Sequence, residues 1–259
     1  METKTLTVVT GGASGIGAAC VRHHVGRGDT VIVLDLASAW SDQKASSLGA
    51  KAFYDCDVLD DQRVRDVADL IEAEHGPVDN LITCAGILQR KLPPEELPMD
   101  HWDAVTNIDL RGTYLSCAVY GSKMAARGHG AIVNIASITS FRSSPLHAYG
   151  PVKAAVAALT MSLAAEWGRS GVRVNAVAPG FTLTEGMQAA IDRGDRDPAE
   201  MSRPAAMNKL VMPDEVADGI GFLLSDAARA ITGIIMPIDA GWLCGSHWDA
   251  WGGMKGPRT

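Results

Sequence analysis

Tyr149 and Lys153 stand four residues apart in the run HAYGPVKAAVAALTMSLAAEWGR. On a helix that spacing puts both side chains on one face. Ser137 closes the apolar run AIVNIAS, at the place where a buried strand ends. A hydroxyl, a phenol and an ammonium together suit proton transfer to and from an alcohol. A free tyrosine has a pKa of about 10, so a base working near neutral pH needs ~3 units of depression, roughly 4 kcal/mol. One ammonium at about 4 Å and an effective dielectric of about 20 supplies close to that. Tyr149 is thus the candidate acid/base, Lys153 its activator, and Ser137 the donor to the substrate oxygen and to the charge that develops on it.

Oxidising an alcohol also needs a hydride acceptor, and the start of the chain provides its site. In LTVVTGGASGIGAACV a β-branched run ends in Thr10 and turns on glycine into a helix. The helix N-terminus, with unpaired N–H groups and a positive dipole end, attracts phosphate. Gly11 permits the turn, Gly15 admits a pyrophosphate to the backbone, and Gly17 lets the helix pack closely; Ser14 and Ile16 complete the loop. The next apolar run, TVIVL, ends in Asp35. This is where a dinucleotide fold carries a carboxylate for the ribose hydroxyls. The same carboxylate repels a 2′-phosphate, and no Lys or Arg stands at Gly12, Ala13 or Leu36 to compensate, so NAD is expected over NADP.

The Gly-x3-Gly-x-Gly spacing after Thr10, with Ser137 and Tyr149-x3-Lys153, resembles the classical short-chain dehydrogenases/reductases (SDR), and the likeness runs from Leu6 to about Gly241. The resemblance implies an adenine contact at Asp57 and Val58. It implies a close approach to the cofactor ribose at Cys84, Ala85 and Gly86, where Thr83 and Cys84 replace the family's two asparagines. It implies contacts from Lys153 to the nicotinamide ribose, and from Pro179, Gly180, Thr182 and Thr184 to the carboxamide or a phosphate. Aligned on Trp102 and Gly112, the family's catalytic asparagine falls on Asp109 and not on Asn107. An ionised carboxylate there would favour a charged Lys153 and oppose the tyrosinate; we expect Asp109 to bond backbone donors and to keep a relay water in place. The family also usually assembles through its two long central helices, expected here at residues 110–126 and 147–169. Their small residues (Gly112, Ser116 and Ala118 on the first; Ala154, Ala155, Ala157 and Ala158 on the second) suit close packing, and a homotetramer, or failing that a homodimer, is expected.

These residues need a scaffold that brings strand ends together. Apolar strand runs alternate with helical periods along the whole chain, with no repeat or linker. This pattern predicts a single α/β domain of the Rossmann type, a doubly wound, seven-stranded parallel sheet with helices on both faces. Asp57 could also cap the helix that follows it, and Thr184 the helix after it. Residues 181–212, rich in Gly, Asp, Met and Pro, read as a lid over the substrate. Leu88, Thr139, Pro145, His147 and Met187 are candidate pocket residues beside Ser137. The tail, residues 242–259, holds Trp242, Trp248 and Trp251, for packing on a neighbouring subunit or on the chain's own last strand.

Other classes are disfavoured. A net charge of −7 without a basic cluster argues against nucleic acid. No run of about 18 apolar residues argues for a membrane span. METKTLTVV lacks a signal-peptide core, and the five scattered cysteines form no CxxC or Cys/His set; reduced thiols, no metal site and a cytoplasmic protein are expected. The substrate is read as a small secondary alcohol or ketone, a polyol, sugar-like compound or cyclic alcohol. The alternatives are a non-catalytic NAD sensor on this fold and a cis-dihydrodiol dehydrogenase of aromatic catabolism.

Overall fold

The computed structural model describes residues 5–255. Seven strands form one parallel sheet: β1 Leu6–Thr10, β2 Thr30–Asp35, β3 Ala52–Asp55, β4 Asn80–Thr83, β5 Gly130–Ile135, β6 Val172–Pro179 and β7 Ile235–Ile238, in the order 3-2-1-4-5-6-7. The helices are α1 Gly15–Gly26, α2 Asp42–Leu48, α3 Asp61–His75, α4 Met99–Val105, α5 Thr113–Arg127, α6 Tyr149–Trp167, α7 Glu185–Asp192, α8 Pro198–Ser202, α9 Pro213–Leu224 and α10 Trp242–Gly245. No helix among the described residues is long and apolar enough to cross a membrane.

Strand side chains alternate between the two faces, so each central strand feeds two cores. Val8, Leu81 and Ile132 pack with Val67 and Ile71 of α3 and Tyr120 of α5. Val9, Ile82 and Val133 pack with Val21 of α1 and Ile220 of α9 on the other face. The order of strand addition reverses between β1 and β4, β2 and β3 lying to one side of β1 and β4 to β7 to the other, and an open parallel sheet places its crevice at the carboxyl end of that switch.

The missing asparagines before Ala85 have a replacement in the sheet. Thr83 Oγ1 donates to Asn134 Oδ1 at 2.7 Å, and Asn134 Nδ2 donates to Thr160 Oγ1 at 3.0 Å, all three buried. The chain ties β4 and β5 to α6, the helix that carries Tyr149 and Lys153.

Two expectations change. The small residues Gly112 and Ser116 face inward. A Cβ on Gly112 would come within 2.7 Å of Val58, so this glycine serves an internal contact and not a subunit face. The start of the tail packs on the segment after α8 and not on the last strand, while Trp248 and Trp251 are exposed. Ala240 (φ 52°) and Gly241 (φ 79°) turn the chain left-handed, Met207 N–H donates to Ala240 O at 3.0 Å, and Arg203 pairs with Asp249 at 2.5 Å. Residues 256–259 of the expected tail lie outside the described residues. All five cysteines are free.

Candidate functional site

Helix α1 starts without a cap of its own: Ser14 is extended and its side chain accepts no cap bond. Its first amide, Gly15 N–H, donates instead to Glu185 Oε2 at 3.0 Å, a carboxylate on the helix N-terminus. The turn is closed by contact. A Cβ on Gly11 (φ 65°) would meet Ala85 N at 2.6 Å, and one on Gly17 would meet Gly11 O at 2.0 Å. Asp35 Oδ2 accepts from Ala13 N–H at 3.0 Å and Oδ1 from Leu36 N–H at 2.8 Å, so the carboxylate also holds the turn in place. Thr10 Oγ1 accepts from Ala85 N–H at 3.3 Å, bridging the ends of β1 and β4.

A cleft of about 510 Å³ runs along this edge, past Asp35, Asp57 and Val58 to Cys84, Ala85 and Gly86. Its glycine cradle and the helix N-terminus beside it suit a dinucleotide, with Asp35 and Asp57 at one end. Asp57 does not cap α3. It accepts from Leu59 N–H at 2.9 Å, and Asp60 caps the helix through Arg63 N–H at 2.9 Å. Thr184 caps α7, accepting from Met187 N–H at 3.3 Å. Burial pushes the Cys84 thiol up to about 12, so this cysteine is a filler and not a nucleophile.

Tyr149 opens α6 and Lys153 follows one turn later, its ammonium 5.4 Å from the phenol ring centre. Lys153 Nζ donates to Ile135 O at 3.0 Å and lies 3.0 Å from Asp109 Oδ2. Asp109 Oδ1 accepts from Ile87 N–H at 2.8 Å. Between α4 and α5 the helix widens into a π-turn over Thr106–Gly112, a form often found at functional sites. That turn buries Asp109 and leaves Asn107 exposed. Asp109 therefore has one backbone donor and a direct ion pair with Lys153.

The electrostatics differ from the sequence-based account. Burial would lower the Lys153 pKa, but Asp109, then Tyr149, outweigh it and the pKa is raised. Tyr149 is also raised. Burial is the largest cause, Lys153 and a hydrogen bond with Ser137 act the other way, and Asp109 adds to the rise. Lys153 alone does not bring the phenol's pKa down toward neutral pH, because burial, with Asp109 adding to it, outweighs the ammonium.

Ser137 is buried and ends β5 in a tight capping arrangement. Its Oγ accepts from Thr139 N–H at 3.2 Å, leaving the hydroxyl hydrogen free to donate. Ser140 Oγ accepts from Ser137 N–H at 3.3 Å and donates to Lys153 O at 2.8 Å, fixing this loop to α6. A second cavity, about 380 Å³, is lined by Ser137, Thr139, Tyr149, Met187, Phe181 and Trp242. Pro179, Gly180, Thr182 and Thr184 border it too. It shares Ile16, Leu88, Ile135, Tyr149 and Thr184 with the cleft, so the two meet at the phenol. His147 is not among these residues; it lies in a separate shallow depression beside Phe141 and Gly150.

Gln89 escaped the sequence reading. It is buried, and its Oε1 accepts from Ala148 N–H at 2.6 Å and Tyr149 N–H at 3.1 Å. A side chain 60 residues away thus caps the helix that Tyr149 begins. No local pattern marks such a cap.

The comparisons with known proteins agree with this architecture. The family model described as enoyl-(acyl carrier protein) reductase matches residues 11–243. D-threitol dehydrogenase of Mycolicibacterium smegmatis is 39% identical over 92% of each chain. Cis-4-hydroxycyclohexanecarboxylate dehydrogenase of Sinomonas cyclohexanicum is 39% identical over 92% of this chain and 96% of its own. A crystal structure titled ribose-5-phosphate isomerase, from Brucella melitensis 16M, superposes with a TM-score of 0.93 at 45% identity over 98% of both chains. The chain belongs to the short-chain dehydrogenase/reductase family of oxidoreductases.

Proposed function

We propose that the protein interconverts a secondary alcohol and its ketone with NAD(H), Tyr149 acting as acid/base. The observation that carries this reading is the place of Tyr149, at the junction of the two cavities with Lys153 beneath it and Ser137 beside it. When bound, the nicotinamide supplies the hydride acceptor or donor. Ser137 donates a hydrogen bond to the substrate oxygen and favours the charge that builds there. Tyr149 Oη takes the hydroxyl proton during oxidation and returns it during reduction. Lys153 lowers the cost of the phenolate, and Asp109 with Ile135 O keeps its ammonium in place. Asp35 and Asp57 at the far end of the cleft favour NAD over NADP.

The two named dehydrogenases act, by their names, on a polyol and on a cyclic hydroxy acid, and both suit this cavity's mixture of hydroxyls and apolar walls. Aldose–ketose isomerisation, the activity in the Brucella title, moves a proton between neighbouring carbons and uses no dinucleotide. It would leave the glycine turn and Asp35 without a role.

Assembly through α6 belongs to the same reading. Ala154, Ala158, Met161 and Ala165 form an exposed stripe at helical spacing on it. The test of the activity is NADH formation from NAD across a panel of polyols and cyclic alcohols, with Tyr149→Phe as control. Activity that vanishes in the control supports the assignment. Undiminished activity in the control overturns it.

A further inference from the structure

The two cavities that meet at Tyr149 carry opposite charge. The cleft is lined by Asp35, Asp57, Asp109 and Glu185, with Lys153 as its only cation. The second cavity is lined by Lys91, Arg142 and Arg196 and by no carboxylate. In a chain of net charge −7, a wall with three cations and no acid is a local arrangement and not a reflection of composition.

The three cations are also unspent. Among the described residues none of them makes an ion pair or a side-chain hydrogen bond. Arg196 is the most telling, because acids surround it in sequence. Asp192 binds Gln188 Nε2 at 2.7 Å, Asp195 pairs with Arg193 at 3.0 Å, and Asp197 caps α8 through Ala199 N–H at 2.8 Å. Each neighbouring carboxylate is engaged elsewhere, and Arg196, partly buried, faces the cavity alone.

Neutral donors of the same wall point the same way. Thr139 Oγ1, Ser144 Oγ and Trp242 Nε1 are buried without a hydrogen-bond partner, and all three residues line this cavity. Buried donors left unpaired are costly, so a ligand rich in acceptors is the natural complement. Ser137 is buried, whereas Lys91 and Arg142 are exposed, so the cations stand at the mouth and the reacting hydroxyl at the floor. The same cavity is also lined by apolar Leu88, Ile138, Leu146, Phe181 and Met187.

We infer that the substrate is a hydroxy acid or its keto acid, with an apolar body between the reacting carbon and a carboxylate held by Arg196, Arg142 and Lys91. This deepens the alcohol–ketone reading of the same site and rests on it for the reacting carbon only. The balance is that of the proposed reaction: a hydride and a proton leave the carbinol, and the carboxylate is unchanged.

The test measures binding and needs no turnover. The purified chain, with and without NADH, is titrated calorimetrically with cyclohexanecarboxylate and with the isosteric neutral cyclohexanecarboxamide. We expect the carboxylate to bind at least tenfold more tightly at low ionic strength. The advantage should shrink several-fold at high salt, because exposed cations are screened. In Lys91→Gln/Arg142→Gln/Arg196→Gln the affinity ratio should fall toward one. Arg196→Gln alone should remove the largest single share. None of the three lies in the core, and an unchanged melting temperature verifies that the variants fold. Equal affinities, tighter binding of the carboxamide, no binding of either, or an unchanged ratio in the triple variant would overturn the inference. Failure of the redox reading shows separately, as absence of NADH formation from 4-hydroxycyclohexanecarboxylate despite carboxylate binding.

Discussion

Asp109 and Lys153 form a buried ion pair at 3.0 Å, with the Tyr149 ring centre 5.4 Å from the same ammonium. The carboxylate holds Lys153 charged and opposes the tyrosinate, raising both pKa values. Asp109→Asn removes the opposing charge and can keep the Ile87 N–H bond. The Tyr149 pKa then falls. Since oxidation requires the deprotonated phenol, the rise of kcat/KM with pH should move to lower pH. Activity at a fixed pH should change by less than tenfold. A loss of several hundredfold would make the carboxylate itself catalytic. Asp109→Ala, which leaves Lys153 buried and unpaired, should cost about 3–5 kcal/mol of stability in denaturant titration.

Glu185 occupies the amide that a pyrophosphate would use. The bond from Gly15 N–H must open before a phosphate can take its place. Glu185→Gln keeps the side chain's size and removes its charge. NADH affinity, read by fluorescence titration, should rise roughly three- to fivefold, matching ~0.6–1 kcal/mol for a charge at a helix terminus. Weaker binding in the variant would show that the carboxylate contacts the cofactor instead.

Gln89 couples the loop after Gly86 to the start of α6. Without its carbonyl, Ala148 and Tyr149 lose their acceptor, and the phenol its fixed height above the cleft. Gln89→Ala should cost ~2 kcal/mol of stability. It should lower kcat about tenfold with little effect on the Kd for NADH. Gln89→Glu retains the acceptor and should restore most of kcat. Equal losses in both variants would argue against a capping role.

Asp35 decides between the two nicotinamide cofactors in this reading. kcat/KM with NAD should exceed that with NADP by more than tenfold. Asp35→Ser combined with Leu36→Arg should bring the two together or reverse them. Equal efficiency in the unaltered protein would refute the role given to Asp35.

What could be read from sequence has short-range causes. The glycine turn, the strand ending in Asp35 and the Tyr149–Lys153 spacing depend on residues within a few turns of each other, and local periodicity carries them. Asp109, and not the exposed Asn107, is the buried residue, and its direct contact with Lys153 could not be read from spacing. The π-turn that buries it and the approach of Lys153 depend on α5 and α6 packing together. Gln89, Glu185 and the Thr83–Asn134–Thr160 chain were out of reach for the same reason. Each acts across 26 or more residues, through contacts that no local pattern encodes. The sequence account of Tyr149 gave a size only to the charge of Lys153, and it left out burial. The folded site contains a second charge of opposite sign and a large burial cost.

Ile16, Leu88, Ile135, Tyr149 and Thr184 belong to both cavities, and this shared wall has a kinetic consequence. A seated dinucleotide would complete one wall of the second cavity, so the smaller molecule is expected to bind after it and to leave before it. Turnover is then expected to be sequential and ordered, with the oxidised or reduced dinucleotide arriving first and departing last. Product inhibition by the dinucleotide should be competitive against its partner form. The slow step at saturation should be its release, so a chain built around one tyrosine would set its pace by the opening of the segment that begins at Thr184.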